Sequence, residues 1–230
     1  MKLILQVIFV LALFAIVSAG ATETNVLHIA MIFDDGPLPD HAEKFLKLFD
    51  REDVHVTFGS EARNVALHPA TAKALIAAGH EIANHSYTHQ HPKDLDDATL
   101  DHEIGGAQQV IIEMTGFTPK WFWPPFLESD DRHRAAAAKA GIQVYVPHHL
   151  VVPNDHDRSV SAEELKRQAT SNIKDGTVII FHEWRDETFE QMPAIIAELR
   201  RQGCVFLTFS QLADYVGSKG WYEATERIGK

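Results

Sequence analysis

The chain has 230 residues, 45% of them apolar, and 21 basic against 32 acidic side chains give a formal net charge of −11. That length fits one domain of ordinary size with a short extra segment, and the apolar share is enough for a substantial core. The acidic balance, with no basic stripe, argues against a nucleic-acid partner and disfavours strongly anionic polymers as substrates unless a metal or local patch compensates.

Residues 1–19 stand apart from the rest. Lys2 precedes an apolar run over 3–17, and Ser18-Ala19-Gly20-Ala21 follows. A positive start, an apolar run and small residues after it read as a secretory signal peptide cut after Ala19 or Ala21. The alternative is a membrane anchor, for which the run is short. The expected mature domain therefore covers 22–230 with a core of about 26–216, secreted or periplasmic, with no stable membrane insertion after cleavage. No cysteine lies near the cleavage site, so a lipoprotein signal is absent. The single cysteine, Cys204, precedes Val205-Phe206-Leu207, which predicts a buried thiol and excludes an intramolecular disulfide.

Strands are predicted over 26–33, 54–59, 81–84, 120–123, 142–146, 177–181 and 204–208. Between them helices are predicted over 40–49, 69–78, 97–114, 132–139, 162–173, 187–202 and 210–216, the last capped by Ser210. Gly79, Gly141 and Gly203 close three of these helices. Strand and helix alternate without an internal repeat or a linker. The pattern implies one α/β domain with parallel strands, either as an open sheet or as a barrel. In a barrel the chemistry lies at the C-terminal strand ends, where Asp34, Asp35, His85, His89, Pro125 and His182 fall.

Phe33-Asp34-Asp35-Gly36-Pro37 follows the buried run Ile29-Ala30-Met31-Ile32. Two adjacent carboxylates at the end of a buried strand are costly unless something there needs negative charge, and a divalent metal is the usual reason. Read alone, Asp-Asp-Gly-Pro is equally a turn sequence. His85 and His89 are four apart, the spacing with which one helical turn presents two imidazoles to one ion. With one carboxylate they make three ligands and leave room for water, the pattern of catalytic zinc. In a chain with 14 histidines such a pair also arises by chance.

Taken together, Phe33-Asp34-Asp35-Gly36-Pro37, Gly79-His80-Glu81-Ile82-Ala83-Asn84-His85-Ser86-Tyr87-Thr88-His89 and Thr177-Val178-Ile179-Ile180-Phe181-His182 resemble the NodB-type polysaccharide deacetylases, carbohydrate esterase family four. The resemblance runs over about 26–216 and implies a distorted (β/α) barrel, a divalent metal (zinc first, cobalt or nickel as alternatives) and hydrolysis of acetyl groups on sugars. Carried over residue by residue, it implies metal ligation by Asp35, His85 and His89, with Asp34 as general base and His182 as general acid. Phe126 would give a backbone N–H to the oxyanion, and Ile180 would line the acetyl methyl pocket.

Two departures from the family pattern concern the neighbours of these groups. Trp123 stands where the family usually carries an arginine that pairs with the base, so an orienting charge is missing; Arg132, Arg134 and Arg185 are the candidate replacements. The family also carries an acidic residue near 144–146 that tunes the acid histidine. Here that stretch reads Val144-Tyr145-Val146, and Asp155 and Asp157 come only later.

The remaining features carry little weight. Asn84-His85-Ser86 matches a glycosylation sequon but overlaps the metal motif. His148-His149 reads equally as a substrate contact or a solvated loop. Trp121, Trp123 and Trp184 suit sugar stacking or core packing alike. The leading expectation is an exported metal-dependent deacetylase of N-acetylglucosamine-containing glycans, with a carbohydrate substrate and no oligomer specified by the pattern. The alternatives are an O-deacetylase of xylan-like polymers, and a carbohydrate-binding relative that has lost turnover through Trp123.

Overall fold

The computed structural model describes residues 26–91 and 94–219. The expected signal peptide and most of the tail beyond Gly217 lie outside the described residues, and no described helix is long and apolar enough to cross a membrane.

Strand β1 (Leu27–Gly36) is the axis of the fold. Its middle, Ile29 to Phe33, is at most 1% exposed, as expected of a parallel strand covered on both faces. It pairs with β7 (Thr177–His182) from Ile29↔Thr177 to Asp34↔His182. On its other edge β8 (Cys204–Leu207) runs beside its first half and β2 (Thr57–Ser60) beside its second. The sheet continues from β2 through β3 (Glu81–Asn84) and β4 (Trp121–Phe122) to β5 (Gln143–Val144), and from β7 to β6 (His149–Val151). Every pairing among the described residues is parallel. The result is a single-domain, curled α/β sheet, a distorted (β/α) barrel in which no pairing joins β5 to β6 among the described residues.

The covering helices are α1 (Pro39–Glu52), α2 (Ala62–Leu67), α3 (Pro69–Ala77), α4 (Asp97–Asp101), α5 (Ala107–Thr115), α6 (Asp131–Lys139), α7 (Ala162–Ala169), α8 (Asp186–Arg201) and α9 (Phe209–Ser218). Alternation along β1 divides the core in two. Ile29, Met31 and Phe33 pack outward with α1 and α8, where Phe33 meets Phe45 at 4.8 Å and Phe181 at 5.3 Å between ring centroids. Ala30 and Ile32 pack inward with Trp123, Tyr145, Ile180 and Phe209. Cys204 is buried in the outer core as expected, and burial pushes its thiol up to about 11.

Four expectations need correction. The helix over 97–114 is interrupted by a π turn, His102–Gly106. The last helix is capped by Thr208, which forms a capping box with Gln211, and not by Ser210. Ser210 instead binds the buried Glu81 through its N–H and its hydroxyl, a long-range partner that local spacing does not reveal. The second strand begins at Thr57, three residues late, and α7 ends at Ala169. Two elements, α2 and β6, were not expected at all; each is short and carries little periodicity.

Candidate active site

Asp34 continues the inward face of Ala30 and Ile32, and the residue is only 5% exposed. In a regular strand Asp35 would point the opposite way. It does not, because the register of β1 against β2 shifts between Asp34 and Gly36, and Asp35 takes a left-handed φ of 71°. A bulge of this kind re-aims one side chain, and here it turns two adjacent carboxylates toward one groove. Asn64 Nδ2 donates to the Asp35 carbonyl at 2.9 Å and holds the bulge.

His85 and His89 follow β3 on a loop, not on the helical turn that their spacing suggests. Ser86 (φ 67°) and His89 (φ 59°) are both left-handed. The loop is pinned by Glu103, a 3% exposed carboxylate in the π turn. Its Oε2 accepts from the N–H groups of Tyr87 (3.1 Å) and Thr88 (2.8 Å), and its Oε1 from the Thr88 hydroxyl (2.7 Å). Ser86 Oγ accepts from the His89 N–H at 2.9 Å. The rings of His85 and His89 lie 4.9 Å apart.

These residues converge. His85 Nε2 is 3.7 Å and His89 Nε2 3.5 Å from Asp35 Oδ1. One ligand atom from each of the three lies within 4.8 Å of the others. His85 Nδ1 donates to the Trp123 carbonyl at 2.6 Å, which leaves the Nε2 lone pair toward Asp35. Among the described residues, Asp35 Oδ1 and His85 Nε2 are buried without a hydrogen-bond partner. An orphaned carboxylate oxygen beside an orphaned imidazole nitrogen is a donor set that suits zinc or a similar divalent cation.

The other oxygen of each carboxylate is held by an indole. Trp123 Nε1 donates to Asp34 Oδ2 at 3.0 Å, and Trp184 Nε1 donates to Asp35 Oδ2 at 2.8 Å. None of the three arginines considered as replacements serves Asp34. Arg132 binds Asp97 and the Leu95 carbonyl, Arg134 pairs with Asp131, and Arg185 reaches the Val160 carbonyl and Glu187. Trp123 itself, 1% exposed and packed on Phe209, takes the place. Burial drives Asp34 up to about 7; His182 opposes this, the Asp35 charge adds to it, and the Trp123 hydrogen bond and His89 pull it down. Burial works against charge on Asp35 too, but His85, His182, the Trp184 hydrogen bond and His89 together hold it below the usual carboxylate range.

His182 ends β7, in register with Asp34 across one strand spacing, so the two meet although 148 positions separate them in sequence. The acidic partner that the 144–146 stretch lacks is Asp155, on the loop between β6 and α7. Its Oδ1 accepts from His182 Nδ1 and its Oδ2 from the His182 N–H, both at 2.7 Å. Thr188 Oγ1 donates to Oδ2 at 2.8 Å, and Asp155 is 1% exposed. Burial alone would lower the imidazole. Asp155, Asp34 and Asp35 override it and push His182 up to about 9.

Ile180 lies in the inward core with Trp123. Phe126 sits at the rim, 52% exposed and left-handed at φ 57°, its ring stacked on His91 at 4.4 Å and edge-on to His89 at 4.8 Å. Of the remaining expectations, His149 belongs to β6 and contacts Thr177 Oγ1 at 3.0 Å, away from the carboxylate pair. Trp121 donates to Ser210 and packs on Tyr145. Sequence reasoning named Asp155 only as a later acidic residue and Trp184 only as a stacking or core ring, and it missed Glu103 and Glu183. Glu183 is fully buried behind the bulge, accepts from the Leu38 N–H at 2.7 Å and is driven up to about 8 by burial. The adjacency of Glu183 to His182 was the one signal in the sequence for either glutamate.

Comparison with known proteins identifies the family. The sequence profile of polysaccharide deacetylases matches residues 21–145. A bifunctional xylanase/deacetylase of Pseudobutyrivibrio xylanivorans is 28% identical over 87% of this chain, which spans 33% of that protein's length. A peptidoglycan-N-acetylglucosamine deacetylase of Bacillus cereus is 28% identical over 81% of this chain and 88% of its own. A family 4 carbohydrate esterase from Streptomyces lividans, solved with acetate, superposes with a TM-score of 0.72 at 30% identity, covering 78% of this chain and 91% of that one. With the curled parallel sheet and the Asp-Asp, His-His and His motifs at its strand ends, the chain belongs to the NodB-type polysaccharide deacetylases, carbohydrate esterase family four.

Proposed function

We propose that this protein is an exported, divalent-metal-dependent deacetylase of a carbohydrate, with N-acetylglucosamine-containing glycan as its substrate. One observation carries the reading: a buried carboxylate, Asp34, with one oxygen unpartnered, stands between an Asp-His-His ligand set and the Asp155-backed His182. Asp35, His85 and His89 would hold the cation. When bound, that cation supplies a Lewis acid for the acetyl carbonyl and lowers the pKa of water beside it.

The chain's own groups supply the proton transfers. Asp34 takes the proton of the attacking water, and a nearby dication favours its charged form against the burial that drives it up. Trp123 fixes the direction of that carboxylate through Oδ2, while Oδ1 has no hydrogen-bond partner among the described residues. The Phe126 N–H, turned by its left-handed backbone, serves the developing oxyanion. His182, charged at neutral pH and held by Asp155, protonates the leaving amine. Ile180 and the Trp123 ring give the acetyl methyl an apolar wall. The indole replaces the missing arginine as a hydrogen-bond donor, which favours an active enzyme over a binding relative.

A second substrate reading, O-acetyl groups of xylan-like polymers, is favoured by the xylanase/deacetylase relative. Acetate release by the purified protein from chitooligosaccharides and from acetylated xylan, with and without chelator, tests both. Release that stops with chelator and returns with zinc supports the reading. Asp34→Asn is expected to slow turnover by about 10²-fold, within the usual range for general-base loss. Equal background rates for both proteins on every substrate refute the enzyme reading.

A further inference from the structure

The groove contains a second set of one aspartate and two histidines. Asp155, His156 and His182 each offer one ligand atom, and these atoms lie within 4.8 Å of one another. The composition repeats that of Asp35, His85 and His89, and the ring geometry is close. The His156 and His182 centroids are 5.8 Å apart at 65°, against 4.9 Å at 64° for His85 and His89. Asp155 is anchored at the end of β7 by the His182 N–H and by Thr188, so one ligand is rigid. His156 is exposed on the adjoining loop and free of helix or strand pairing, so its ring can adjust to an ion.

The two sets differ in one respect that ranks them. In the first, Asp35 Oδ1 and His85 Nε2 have no hydrogen-bond partner. In the second, His182 Nδ1 is already bonded to Asp155 Oδ1 at 2.7 Å. An ion entering there must displace that hydrogen bond and the proton in it, so binding competes with protons. The second set therefore binds more weakly and fills only after the first. Two imidazoles and one carboxylate select zinc, copper, nickel or cobalt over magnesium or calcium.

We propose that Asp155, His156 and His182 form a second, weaker site for a zinc-class divalent ion, whose occupation inhibits the enzyme. The inhibition rests on His182 acting as the general acid in the proposed reaction; the binding does not. An ion on His182 Nδ1 displaces the Asp155 hydrogen bond and takes the place of the ring's second proton. The remaining Nε2–H then belongs to a neutral imidazole, too weak an acid to protonate the leaving group. Activity should therefore rise with the first equivalent of zinc and fall in excess.

The test is a zinc titration of the metal-free full chain by calorimetry and elemental analysis, in parallel with acetate release. The wild type is expected to bind two ions, the second at least about tenfold more weakly. His156→Ala lies outside the catalytic machinery, so it should bind one ion, keep basal activity, and need about tenfold more zinc for inhibition. His85→Ala should lose the tight ion and retain the weak one. Wild type that binds a single ion, or His156→Ala that binds the second ion unchanged, overturns the proposal. If no variant turns over any acetylated sugar, the deacetylase reading fails, while the two-ion and one-ion stoichiometries still decide this one.

Discussion

Replacing Trp123 by phenylalanine tests whether an indole can do the work of the absent arginine. The substitution keeps a ring against Phe209 and the backbone carbonyl that accepts from His85, and removes the Nε1–H that reaches Asp34 Oδ2 at 3.0 Å. Asp34 Oδ1 already lacks a hydrogen-bond partner, so the variant leaves both oxygens of a buried carboxylate without a donor. A hydrogen bond to a charged group contributes about 1.5–3 kcal/mol. At about 1.4 kcal/mol per tenfold, that loss predicts a fall in kcat/KM of roughly 10- to 150-fold at neutral pH. The donor favours the anion, so removing it raises the Asp34 pKa. A base works only when deprotonated, so the acid limb of the kcat/KM profile should move to higher pH, and part of the lost rate should return there. The smaller ring costs on the order of 1–2 kcal/mol of stability, which a Tm measurement separates from the kinetic effect. Zinc content should be unchanged, because the indole touches Asp34 and not Asp35. A folded, zinc-loaded variant with the wild-type rate and the wild-type acid limb refutes the reasoning.

Other expectations follow from the same contacts. Asp155→Asn removes the anion beside His182, whose raised pKa keeps it protonated up to about 9; an acid fails above its pKa, so the alkaline limb of kcat/KM should fall by about 1–3 pH units, and an unmoved limb excludes His182 as the acid. Trp184→Phe frees Asp35 Oδ2 and should weaken zinc binding about 10- to 100-fold, read by competition with a chelator; unaltered affinity means that the indole does not orient that ligand. At Gly59 a Cβ would overlap Asp34 Oδ1, so Gly59→Ala should displace the carboxylate and lower kcat at least about tenfold with zinc still bound; an unchanged kcat shows that the groove tolerates the shift.

Much of this protein is legible along the chain. The alternation of short apolar runs with amphipathic stretches determines a parallel α/β sheet, because each strand buried on both faces must be nearly all apolar and each helix needs only one apolar face. The position of Asp34 is legible too, since period-two alternation from Ala30 and Ile32 puts it on the inward face. Motif resemblance supplies His85, His89 and His182 at other strand ends. Tertiary structure alone decides how these groups meet. Asp35 joins Asp34 only through a bulge that needs β2 beside it. His85 and His89 meet on a left-handed loop whose amides are held by Glu103 from a π turn, not on the helical turn that spacing suggests. Asp155 reaches His182 from 27 positions away, and Trp123 and Trp184 reach the carboxylates from 89 and 149. No local rule encodes such distances. Periodicity reports which face a side chain takes, whereas a hydrogen bond between strand ends depends on strand order, and strand order is settled by the packing of the whole sheet.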